Sequence, residues 1–432
     1  MERYESYKPS GVEWIGDIPS HWDVCRNIGL FDERREMDRP DMELLSVTIN
    51  RGIIKQNEIT AKKDSSNEDK AKYKVVKKND LVYNKMRMWQ GAIGVSAYEG
   101  IVSPAYVVLR PRDAAYSRYF HYLYRTEAFI AEANRHSYGL CLDMNSLRYE
   151  DFKNIYSPVP PREDVKRIVN FLDQKATEID AAISKKEQLT DVLSEQKGIL
   201  INQAVSGGFN LNVRLRNSGS SWIADIPEHW EVIPLKRVST VQSGLTLGKS
   251  YSRMRGAKSY PYLRVANVQD GFLDLSKMTE IVLPIREATN FFLRTGDILV
   301  TEGGDIDKLG RGNCWNGEIE NCLHQNHVFA VRINRKVRPE YVSLITGVSY
   351  ARRYFTTTAN KTTNLASTNK NKLGNLPLLV PPLDEQDAIL AHCNKIKMRF
   401  ESLTKNVARE IMALKELTSV LSEASVTGNI KV

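Results

Sequence analysis

Few residues of this 432-residue chain are spaced for bond-making chemistry. Gly244-Leu245-Thr246-Leu247-Gly248-Lys249-Ser250 has the composition of a phosphate cradle. It is one residue short of the spacing on which that cradle depends. Cys314, Cys322, His324 and His327 are the donor types that zinc takes, yet they form no C-x2-4-C knuckle, and Trp315 beside them fits packing. Pro40-Asp41 with Glu68-Asp69-Lys70 imitates a metal-dependent nuclease motif, but its Glu-x-Lys falls in a charged loop, not on a strand. The sequence has no Gly-rich loop for S-adenosylmethionine and no Asn/Asp-Pro-Pro-aromatic tetrad for amino methylation. Its seven histidines form no triad. A non-catalytic chain, with no metal and no cofactor of its own, is the expectation.

A second set of residues suits recognition. Gly303, Gly304, Lys308 and Arg311 expose backbone and cations in one Gly-rich run, and Gln325-Asn326-His327 stands at the mouth of a strand. Lys361-Thr362-Thr363-Asn364 is a polar loop after a helix. Earlier in the chain, Asn84, Lys85, Arg87 and Gln90 share one short segment. Asn and Gln can pair bidentately with adenine, and Arg and Lys with guanine. Thr, Ser and backbone N–H groups suit phosphates. These fifteen residues are the candidate DNA contacts. Gln325, Asn326, Lys361 and Asn364 are the first choices for bases in the later set.

The elements that hold them repeat. Trp14-Ile15-Gly16-Asp17-Ile18-Pro19-Ser20-His21-Trp22-Asp23-Val24 returns as Trp222-Ile223-Ala224-Asp225-Ile226-Pro227-Glu228-His229-Trp230-Glu231-Val232, identical at eight of eleven positions. Val159-Pro160-Pro161 returns as Val380-Pro381-Pro382, and Val205-Ser206-Gly207 as Val426-Thr427-Gly428. The whole chain therefore reads as a tandem duplication. From Trp to Pro the two copies span 146 and 159 residues, whereas Pro161 to Gly207 and Pro382 to Gly428 are both 46. A part free to change length suits loop-borne recognition, and a part of fixed length suits a spacer.

The fixed part reads as a long helix. Ile168, Leu172, Ile179, Leu189, Leu193 and Leu200 recur at coiled-coil spacing in the first copy. Ile389, Ile396, Phe400, Leu403, Val407, Leu414, Leu417 and Leu421 do so in the second. Lys175, Lys186 and Gln196 interrupt the first seam, and Glu410 the second. Pro-Pro pairs fit the helix starts, and Gly207-Gly208 and Gly428 the stops. The length-variable parts read as mixed strand and helix. Strands are expected within 73–85, 91–111, 297–301 and 327–333, with helices over 117–136 (capped by Ser117) and near 339–355. Residues 62–78 read as a charged loop.

The net charge of +9 is uneven. Residues 1–161 carry +1, 206–382 carry +9, and each helical stretch carries −1. No run reaches the length of a membrane span. Five scattered cysteines and a charged N-terminus read as a reduced, cytoplasmic chain.

Taken together, a Trp-Ile-Gly-Asp-Ile-Pro-x-His-Trp opening, a variable unit, Pro-Pro and a long helix, all repeated, resembles the specificity (S) subunit of type I restriction-modification systems. Pro381-Pro382-Leu383-Asp384-Glu385-Gln386 matches the family's helix start, while Pro160-Pro161-Arg162-Glu163-Asp164-Val165 departs from it. The resemblance implies an α+β chain with two target recognition domains, separated by two long helices that form an antiparallel coiled coil. The corresponding segments are 1–161, 162–207, a linker at 208–221, 222–381 and 382–428. Each recognition domain would read half of a bipartite double-stranded DNA site. Two methyltransferase (M) subunits would dock around the coil and methylate adenine N6 with S-adenosylmethionine. Restriction/translocase (R) subunits would join them. The rival reading is a coiled-coil scaffold with two protein-binding domains.

Overall fold

The computed structural model describes residues 2–49, 52–58, 70–139, 145–210, 212–246, 256–304, 306, 309–334, 336–361 and 366–432. The chain forms two compact units. One is Met1–Glu187 with Ala408–Val432, and the other is Gln188–Val407. Each unit thus holds one variable part, the first half of the helix that follows it, and the second half of the other copy's helix.

The first unit is built on a four-stranded antiparallel sheet in the order Phe31–Glu33, Tyr106–Pro111, Leu81–Asn84, Ile93–Val95. Its two central strands are apolar on both faces, as a sheet covered on both sides requires. Side chains alternate between the faces. Leu81, Tyr83, Val107 and Leu109 enter a core with Phe31, Phe120, Tyr124, Phe129 and Phe152. Val82 and Val108 enter a separate cluster with Leu45, Val47, Val76 and Val102.

The second unit has the same plan. Its sheet runs Ser239–Ser243, Val328–Ile333, Ile298–Thr301, Gly312–Cys314. Ile298, Val300, Phe329 and Val331 face the helical core, and Leu299, Val328 and Ala330 face the other cluster. In both units the residue before the central strand is a buried carboxylate paired bidentately with arginine: Asp80 with Arg34, and Asp297 with Arg332. Matching strands lie 208, 217, 219 and 222 residues apart, so most of the extra length of the second copy enters between its first two sheet strands. Leu215–Arg216 pairs with Ile226–Pro227 just as Tyr7–Pro9 pairs with Asp17–Pro19.

Two details differ from the sequence expectation. The helix expected over 117–136 is two, Ser117–Leu123 and Glu127–Arg135. Thr126 breaks it by accepting the Phe129 amide, and Ser117 makes no cap. Likewise Pro339–Gly347 and Ser349–Thr358 are separated by an extended Val348. Within the charged stretch, Lys74–Val76 is a strand paired with Gly100–Val102.

The two long helices are Arg162–Gly207 and Leu383–Val426, of 46 and 44 residues. At 1.5 Å per residue they are about 69 and 66 Å long. In the first unit, Val165, Ile168 and Leu172 share a core with Val426, and Lys186 pairs with Glu410. Ascending numbers on one helix meet descending numbers on the other, so the pairing is antiparallel. Two of the four residues that interrupt the seams, Lys186 and Glu410, are therefore each other's partners. In the second unit, Ala204 and Val205 pack with Ile389 and Cys393. Of the expected seam, Ile168, Leu172, Ile179, Ile389, Ile396, Val407 and Leu421 are buried, and Leu193, Phe400 and Leu414 half-buried. Leu189, Leu200, Leu403 and Leu417 remain about two-fifths exposed. Among the described residues no helix is long and apolar enough to cross a membrane.

The repeated His-Trp pair locks each helix start to its sheet. Asp164, in the first turn of its helix, accepts from Trp22 Nε1 at 2.9 Å and His21 Nε2 at 2.8 Å. Glu385 accepts from Trp230 Nε1 at 3.1 Å and His229 Nε2 at 2.8 Å. The other end of the partner helix is held equally in each unit. Tyr119 Oη donates to Val426 O, and Tyr341 Oη to Val205 O. Gly428 ends its helix at φ +79°, where a Cβ would lie 2.5 Å from Pro19, so only glycine fits.

Candidate nucleic-acid interface

The candidate contacts of the first unit lie at one end of its sheet. Asn84 closes the strand Leu81–Asn84 and caps the short helix Lys85–Gln90, its Oδ1 accepting from Met86 N at 2.9 Å. That leaves its amide N–H groups for a ligand. Gly91 ends the turn in the left-handed region. Arg87 is exposed, and Lys85 and Gln90 are half-buried. Among the described residues the Lys85 ammonium has no hydrogen-bonding partner. Burial, then the charges of Lys74 and Arg148, push its pKa down despite Glu33. Lys74 is neutralised by Glu33 at 3.3 Å, and Arg148 lies over the Tyr138 ring. A half-buried cation without a partner carries a desolvation cost, which an electron-rich ligand would offset.

The second unit places its candidates at the corresponding sheet end. Gly303 and Gly304 pair with Ser367 and Ala366, and the latter pair in turn with Asn360 and Lys361. This small sheet carries Lys361, which is exposed, on one edge and the Gly-Gly pair on the other, with Ala366–Ser367 between them. His327 Nδ1 is 2.7 Å from Glu302 Oε2, and its Nε2 is 3.2 Å from Asn326 Nδ2. Arg311 is half-buried, with its Nε unpartnered among the described residues. Gln325 turns its Oε1 toward its own chain, accepting from Val265 N at 3.3 Å. Lys308, Thr362, Thr363 and Asn364 lie outside the described residues. Glu302, an acid among candidate cations and amides, has a charge that does not by itself suggest a place beside an anionic partner.

One position is framed identically in both units. Lys85 N donates to Ala105 O, and Lys85 O accepts from Leu147 N. Glu302 N donates to His327 O, and Glu302 O accepts from Thr368 N. The backbone is the same and the side chains are opposite in charge.

Elsewhere, His324 is buried with Nδ1 on Val328 O, and burial pushes its pKa down. Burial likewise pushes the Cys314 and Cys322 thiols up to about 12. Among the described residues no three His, Cys, Asp or Glu side chains gather as a metal would require.

Residues 227–411 match the family model of the type I restriction modification DNA specificity domain. The chain is 22% identical to the specificity subunit of the type I restriction enzyme EcoKI of Escherichia coli K12, over 73% of this chain and 66% of that one. It is 27% identical to the putative MjaX specificity subunit of Methanocaldococcus jannaschii, over 44% of each. The chain thus spans about two thirds or less of the length of these relatives. A chain solved in work on complex assembly and conformational transition of the type I R-M system superposes with a TM-score of 0.67 at 16% identity. It covers 96% of this chain and 99% of that one. The family model lies on the second copy, and the first copy repeats that copy's strand order and helix locks. Residues 227–411 are thus a type I restriction modification DNA specificity domain, and the chain is similar to type I restriction enzyme specificity subunits.

Proposed function

We propose that this chain is the DNA-reading subunit of a type I restriction-modification complex, without catalytic groups of its own. The observation that carries the reading is the pair of polar clusters at the same sheet end in two matching units, in a chain that carries a DNA specificity domain. Segments 1–161 and 222–381 each read one half of a bipartite duplex site. The helices in 162–207 and 382–428 fix the number of base pairs between the halves. Two methyltransferase subunits that methylate adenine N6 with S-adenosylmethionine, and restriction/translocase subunits, are its partners. The side chains Val192, Ile199, Met398, Met412 and Val420 leave apolar surface along the helices, which supports a protein-binding role for them.

Deleting one heptad from both helices tests the ruler. Seven residues rise about 10.5 Å, or roughly 3 base pairs at 3.4 Å each. The selected spacer should change by about that number while both half-site sequences persist. Altered half-site sequences would sink the idea. The scaffold reading is separated by salt, since DNA affinity falls steeply between 50 and 200 mM and a protein–protein contact of this kind does not.

A further inference from the structure

We propose that residues 85 and 302 occupy one equivalent base-selecting position in the two units, set for guanine by Lys85 and for adenine by Glu302 acting through His327 and Asn326. This rests on the DNA reading above and names the residues that make the two readers differ.

The backbone makes the case for equivalence. In each unit this residue follows the central strand, donates its amide to the residue just before the neighbouring strand, and accepts from the segment leading to the last short helix. Main-chain bonds hold it, so the frame survives any side chain. Other shared positions keep their chemistry between copies: the His-Trp lock, the buried aspartate before the central strand, the tyrosine on the helix end. Here the sign of charge is reversed, and the partner across the frame changes from Ala105 to His327.

The side chains then decide what each frame can bind. Lys85 offers an ammonium that is unpaired among the described residues and lies near Lys74 and Arg148, so it suits acceptors. Guanine N7 and O6 are such a pair in the major groove. Glu302 does not face a ligand alone. Its carboxylate accepts a hydrogen bond from His327 Nδ1–H, which leaves Nε2 as an acceptor for one Asn326 N–H. Asn326 is thereby oriented, with Oδ1 and its second N–H free among the described residues. That donor–acceptor pair matches adenine N6 and N7. Asn326 is the contacting residue. Glu302 and His327 position it.

The test is selection from a randomised duplex DNA library by the full-length chain. Wild type is compared with Asn326→Ala, Glu302→Gln, the double change Glu302→Lys with His327→Ala, and Lys85→Gln. Asn326→Ala and Glu302→Gln should each lower the preference for adenine at one position of one half-site by about 5- to 150-fold. The other half-site should be untouched. Lys85→Gln should do the same for a guanine of the other half-site. The double change should move the adenine preference toward guanine. Glu302→Gln is isosteric and keeps the main-chain frame, so it reports even if the double variant does not fold. An unchanged selected sequence with Glu302→Gln and Asn326→Ala would overturn the assignment while leaving DNA reading intact. Failure of the wild type to select any two-part sequence would overturn the reading on which it rests.

Discussion

Replacing Asp164 by alanine should loosen the first unit at the start of its long helix, and the size of the effect follows from its contacts. The carboxylate is 7% exposed and accepts from Trp22, His21 and Arg167. Trp22 is fully buried, so its indole N–H would be left without an acceptor, which costs about 1–3 kcal/mol. His21 and Arg167 are half exposed, and their pairs contribute only about 0–1 kcal/mol each. Loss of an acid from the first helical turn adds about 0.3–1 kcal/mol. The sum is roughly 1–6 kcal/mol on a unit of about 210 residues, or a fall of about 3–24 °C in its transition. Scanning calorimetry of the full chain reads it. Glu385→Ala is the control: Glu385 is 24% exposed and holds no arginine, so its loss should cost less. Asp164→Ala equal to wild type within about 0.5 kcal/mol, or milder than Glu385→Ala, would refute the argument. Acid supplies an independent check. Burial pushes the Asp164 carboxyl up, but the bonds from Trp22 and His21 and the charge of Arg167 outweigh it and hold it below the usual range. Its folded-state pKa is depressed, so its stabilisation is complete above about pH 4 and is lost as pH falls further. The gap between wild type and Asp164→Ala should close on that acid side.

Other substitutions separate tight sites from loose ones. Gly310→Ala places a Cβ 2.3 Å from the Phe355 ring at φ +74°, and should destabilise the second unit by about 2–5 kcal/mol in denaturant titration. Lys186→Ala removes a partly exposed cross-helix ion pair with Glu410, and should change stability by no more than about 1 kcal/mol. Arg87→Ala removes an exposed cation, and should weaken the binding of all duplexes alike while reducing the salt slope by about one.

Much of this architecture is legible in the sequence, because duplication and heptad spacing are long-range patterns with many repeats of the same signal. The long helices, their Pro-Pro starts and glycine stops, and the central strands at 81–84 and 298–301 follow from those patterns, while the antiparallel pairing was implied by the family resemblance alone. The helix break at Thr126 was hidden, because apolar residues continue in phase across it. Its signal is local: Thr126 followed by Glu127 just before Phe129 is a helix start. The His-Trp pair was visible only as an anchor, since its partner acid lies over 140 residues away. An acid at the third position after each Pro-Pro pair, Asp164 and Glu385, was the available clue. Glu302 was absorbed into a net charge, where a single acid among many cations has no weight.

If one chain reads a two-part DNA site, mapping N6-methyladenine across host DNA with and without this gene will show it. A single motif should lose methylation, made of two short half-sites with a fixed gap. Unchanged methylation, or loss of an uninterrupted motif, would contradict it.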